Sequence, residues 1–117
     1  NIKDLNSIQN ESTSLSQPQI TYNSLDELFD KAQKAFDEKK YEEALLLVRL
    51  FLEESSSRID EALFLEAQIL ETKSSVQNIK EAINDYDIII SDWPQSDFLR
   101  KAKKRSTYLK RFYIDIR

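Results

Sequence analysis

Two stretches of this chain follow one pattern. Lys39-Lys40-Tyr41-Glu42-Glu43-Ala44-Leu45 is matched by Gln77-Asn78-Ile79-Lys80-Glu81-Ala82-Ile83. In each, a polar loop gives way to a large apolar residue, two polar residues, and a small alanine that opens an apolar run. Ala44 and Ala82 stand 38 positions apart, a spacing that fits a repeated pair of helices. Such a hairpin cannot bury its apolar face alone, so its repetition implies a stack in which neighbours cover one another.

The spacing of apolar residues extends this reading to five helices. Ser24 and Glu27 have the spacing of a capping box, in which hydroxyl and carboxylate satisfy otherwise orphaned backbone donors. Behind them Leu25, Leu28, Phe29, Ala32, Ala35 and Phe36 recur at three- and four-residue steps, predicting a helix that ends near Glu38. A second helix is expected from about Tyr41 to Glu54. Its apolar stripe is so wide that both sides must be covered. Ser57 and Asp60 repeat the capping signal before a third helix over roughly Ile59 to Thr72. A fourth runs from about Ile79 to Asp92 and is stopped by Pro94. Ser96 or Asp97 is expected to cap a fifth, with Phe98, Leu99, Ala102, Leu109, Phe112, Tyr113 and Ile116 along its stripe. The fold class is therefore all-α, about two antiparallel hairpins plus a C-terminal capping helix, in residues 24–117. Residues 1–23, rich in Asn, Ser, Gln and Thr, read as a flexible polar leader. The chain opens on Asn1 rather than Met, so a fragment or a processed form is expected.

Composition narrows the function. The 117 residues include no Gly, His, Cys or Met. Without glycine there is no phosphate-cradling loop, dinucleotide fingerprint or nucleophile elbow. Without His or Cys the commonest general base, the thiolate nucleophile and the usual zinc ligands are missing. We therefore expect no catalytic residues, no metal site and no cofactor. Paired acids such as Glu42-Glu43 and Glu53-Glu54 lack the spacing of a calcium loop and read as solvated faces.

The chain resembles the tetratricopeptide repeat family over about Leu25 to Tyr113. Ile79, Ala82, Tyr86 and Pro94 fall where that family places a large residue, an alanine, a second large residue and a proline, and Tyr41, Ala44 and Val48 repeat the first three. Phe51 and Ile89 occupy positions where a small residue is usual, and the repeat is longer than the family's 34 residues. Asp92-Trp93-Pro94-Gln95-Ser96-Asp97 followed by Ala102 is similar to the junction in bacterial cell-envelope members, the outer-membrane assembly lipoproteins and periplasmic division coordinators. The resemblance implies a right-handed array that serves as an adaptor or scaffold for another protein of the cell envelope, in the periplasm or anchored to a membrane. It also implies partner contacts from the first helix of each hairpin, here Asp26, Phe29, Gln33, Phe36 and Asp37, although Phe29 and Phe36 fall on the apolar stripe and read equally as core.

A second candidate surface comes from charge. The chain has a net charge of −4, yet residues 97–117 carry eight basic side chains against two acids. Lys101, Lys104, Arg105, Lys110 and Arg111 lie here, followed by Phe112, Tyr113 and Ile116. Basic and aromatic residues together suit an acidic protein partner. The alternatives are an anionic lipid or nucleic-acid surface and a structural spacer within a longer chain.

Overall fold

The computed structural model describes residues 20–114. Within them the chain forms α1 (Leu25–Asp37), α2 (Tyr41–Glu54), α3 (Ile59–Glu71), α4 (Ile79–Asp92) and α5 (Leu99–Leu109), followed by a π-helical turn, Lys110–Ile114. No strand occurs among the described residues. The expected leader and Ile116 fall largely outside this span. At its edge Ile20 and Tyr22 pack against the core.

Local chemistry explains most of the boundaries. Ser24 Oγ accepts the Glu27 amide at 3.1 Å, while Glu27 Oε2 accepts the Asn23 amide at 2.9 Å. The other end of α1 closes without glycine. Lys39 takes a left-handed conformation (φ 63°), and the Lys40 amide donates to the Ala35 carbonyl at 2.8 Å, satisfying one of the last carbonyls of the helix. Asn78 caps α4 through its side chain, accepting the Glu81 amide at 3.0 Å.

Two expected caps are corrected. Ser57 does not cap α3. Its amide donates to Ser55 Oγ, and the cap position falls one residue later on Arg58, in the left-handed region at φ 57°. Arg58 offsets that backbone cost with its side chain, which pairs with Glu61 at 2.9 Å and Asp26 at 2.8 Å and lies 4.2 Å from the centre of the Phe29 ring. Asp60 instead accepts from Ser96 Oγ at 2.5 Å. At α5 the cap position is Phe98, with Ser96 Oγ accepting its amide in the preceding turn.

Each helix packs mainly on the next in sequence, and α1 also touches α3. Connections such as the three residues between α1 and α2 leave room only for a hairpin. Ala44 and Ala82 are both fully buried. Aromatic rings meet between the layers: Phe29 lies edge-on to Phe51 at 5.2 Å, and Phe64 meets Tyr86 at 5.5 Å and Phe98 at 5.1 Å. Because the two alanines leave no space around Cβ, Ala44→Leu or Ala82→Leu is expected to overpack the site and cost about 1–3 kcal/mol. Urea denaturation measures this, and unchanged midpoints for both variants would contradict the close helix approach.

Candidate functional site

The face shared by α1, α3, α4 and α5 holds a cleft of about 430 Å³, within the range of small-ligand and peptide sites. Phe36, half-buried, is its accessible ring, set over the buried Phe64 and Tyr86, and Lys101, Lys104 and Arg105 supply one wall from a single face of α5. The three basic residues face one way because they lie three and four positions apart on a helix. Lys101 and Lys104 are exposed and make no ion pair among the described residues.

The third basic residue is committed to the structure. Glu71, at the end of α3, receives the Arg105 guanidinium through two hydrogen bonds and the Tyr86 hydroxyl at 2.5 Å. Burial and then the Glu71 carboxylate push the Tyr86 phenol well above its ordinary range, so it stays a hydrogen-bond donor. The Glu71 hydrogen bond holds Arg105 charged. With Glu71 neutralised by Arg105, the positive charge that the cleft offers a ligand belongs to Lys101 and Lys104.

Of the residues expected to form a partner surface, the cleft brings together Phe36, Lys101, Lys104 and Arg105. Phe29 is corrected. It is only 4% exposed and belongs to the core, because its helical position points between α2 and Arg58 rather than outward. Asp26 is exposed but paired with Arg58. Gln33 donates to Asp37 along α1 at 3.0 Å, away from the cleft.

Lys110 pairs with Asp87 at 3.0 Å, and Phe112 and Tyr113 form a separate surface beyond the cleft. The expected apolar stripe of α5 therefore divides: Ala102 and Leu109 are buried, whereas Phe112 is 57% and Tyr113 46% exposed. Tyr108 and Ile114 join this second surface. Tyr108 stacks on Phe112 at 5.4 Å, and Arg105 lies over the Tyr108 ring at 4.7 Å. Sequence reasoning missed Tyr108, although its four-residue step from Lys104 and to Phe112 was a usable signal.

A further polar cluster joins α2, α3 and α4. Arg49 donates to Glu66 at 3.0 Å and to Glu81 at 2.7 Å. Glu66 and Asp85 are buried at 6% and 4% exposure, and Asp85 Oδ2 finds no donor. Burial, followed by the adjacent Glu66 and Glu81 carboxylates, raises the Asp85 carboxyl far above the usual range against the opposing pull of Arg49. A proton on Asp85 resolves the orphaned oxygen, since the acid can then donate to Glu66.

Among the described residues no group of three or more metal-ligating side chains is placed to hold an ion, and no helix is long and apolar enough to cross a membrane. No protein-family model matches the chain, and no solved structure matches it. An uncharacterized protein of Treponema pallidum (strain Nichols) is similar, with 36% identity over 62 residues. That match covers 53% of this chain but only 12% of the relative, so the chain corresponds to a small part of that protein's length.

Proposed function

We propose that the chain is a non-catalytic protein-binding module: a tetratricopeptide-like array that serves as an adaptor or scaffold, with an acidic, apolar-anchored segment of a cell-envelope protein as its partner. The observation that carries this reading is the cleft, where the half-buried Phe36 ring of α1, backed by the buried Phe64 and Tyr86, lies beside two exposed lysines on α5 that make no ion pair among the described residues. An apolar partner side chain gains by leaving water against Phe36. Flanking carboxylates gain from Lys101 and Lys104, which set orientation and speed of encounter more than tightness. The array reading is supported by the serial packing of the helices and the contact of α1 with α3. The cell-envelope assignment draws on the Trp93-Pro94 junction. The missing His, Cys and Gly favour binding over catalysis.

Selection of a random short-peptide library on the immobilised chain tests the proposal. Enriched peptides are expected to combine an apolar residue with neighbouring acids. The double variant Lys101→Glu/Lys104→Glu is expected to weaken their binding at least about tenfold, with strong salt dependence. Enrichment of neutral or basic peptides, or undiminished binding to the variant, overturns the reading.

A further inference from the structure

The surface beyond the cleft has a different character. Tyr108, Phe112, Tyr113 and Ile114 form a contiguous apolar patch, each roughly half-exposed, and the rings rest on one another rather than on the core. Lys104 and Arg111 flank Tyr108 at four- and three-residue steps along the same face. Arg111 is exposed and has no ion-pair partner among the described residues. Wide aromatic and branched side chains beside exposed cations match the chemistry of the water–lipid boundary. There ring edges and hydroxyls reach the headgroup layer, and long basic side chains reach lipid phosphates.

We propose that the C-terminal end of α5 and the π-helical turn that follows form a docking surface for an anionic lipid bilayer, with Phe112, Tyr113 and Ile114 entering the headgroup layer and Arg111 and Lys104 contacting lipid phosphates. Charge complementarity selects this occupant. Residues 1–96 are strongly acidic and residues 97–117 strongly basic, so an anionic surface attracts this end and repels the rest. The molecule is thereby oriented with α5 toward the bilayer. Arg105, which lines the cleft, lies over Tyr108 of the patch, so a partner segment and a lipid surface would sit side by side on one helix. Binding of this kind is peripheral and reversible, because four partly buried side chains with a few charges make a weak anchor.

Co-sedimentation of the full chain with two kinds of vesicle tests the proposal: phosphatidylglycerol mixed with phosphatidylcholine, and phosphatidylcholine alone. Binding is expected on the anionic vesicles, with little on the neutral ones and steep weakening as salt rises. Phe112→Ser/Tyr113→Ser is expected to reduce partitioning about tenfold or more, and Arg111→Glu about fivefold or more. Both variants alter exposed side chains, and circular dichroism checks that the helices persist. Lack of binding to the anionic vesicles, equal binding to neutral ones, or undiminished binding of the double serine variant overturns the assignment. Peptide capture by that same variant reports on the cleft separately, so failure of the lipid surface and failure of the protein-binding reading remain distinguishable.

Discussion

Phe29→Ala is expected to destabilise the protein by about 3–5 kcal/mol, the range found when a large aromatic is removed from a packed core. The ring is 4% exposed, meets Phe51 edge-on at 5.2 Å and lies beneath the Arg58 guanidinium. Truncation leaves a cavity between α1 and α2 and takes away the surface on which Arg58 rests. The consequence reaches α3, because the left-handed turn that starts that helix depends on Arg58 holding Asp26 and Glu61. Phe112→Ser is the natural control: its ring is exposed, and surface changes of this kind fall within about 0.5 kcal/mol. Urea denaturation of both variants measures the contrast. Equal midpoints would mean that Phe29 is not part of the core and restore it as a surface contact.

Rising pH is expected to weaken the fold through Asp85. Its carboxyl is pushed up to about 9, first by burial and then by Glu66 and Glu81, with Arg49 pulling the other way. The folded chain therefore keeps a proton that the unfolded chain releases above the ordinary carboxylate range. The native state binds the extra proton, so stability falls as pH rises from about 4 toward 9, by at most about 1.4 kcal/mol per unit. Asp85→Asn keeps the shape, supplies a permanent donor toward Glu66 and cannot ionise. The variant should gain on the wild type as pH rises above about 4, by up to about 4 kcal/mol over three pH units. Denaturation curves for the two proteins across this window provide the measurement. A constant difference between them would show that Asp85 is ionised in the folded protein throughout.

The helices were legible because their apolar residues keep a single period. The limits expected for the second and fourth, Tyr41 to Glu54 and Ile79 to Asp92, coincide with α2 and α4. Side-chain roles that depend on a partner far along the chain were not legible. Nothing local distinguishes Glu66 or Asp85 from an exposed acid, and their burial follows from the packing of α3 against α4, with Arg49 of α2 meeting the Glu66 charge. Nor does Arg58 look like a helix cap, since its left-handed backbone is held by Asp26, which lies 32 residues earlier. Basic residues were recognised as a group from charge alone, but their division into a cleft wall and a separate aromatic surface depends on the rotation of α5 against α3. The Arg105–Glu71 pair helps to fix that rotation. Phe29 shows the same limitation from the other side, since its place on the apolar stripe did not reveal whether the stripe's edge was open or covered.

The serial packing of the helices also sets how the molecule opens. Contacts confined largely to consecutive helices lie close along the chain, a topology that folds in microseconds to milliseconds and lets segments detach without global unfolding. The π-helical turn Lys110–Ile114, which buries no side chain, should exchange its amide hydrogens before the helices ahead of it, while α3, covered on both sides, should exchange last. A segment seated in the cleft would touch α1, α3 and α5 at once and so tie together parts of the chain that otherwise communicate only through their neighbours. Occupancy would then appear as slowed exchange in helices remote from one another in sequence, turning a chain of nearly independent steps into one cooperative unit.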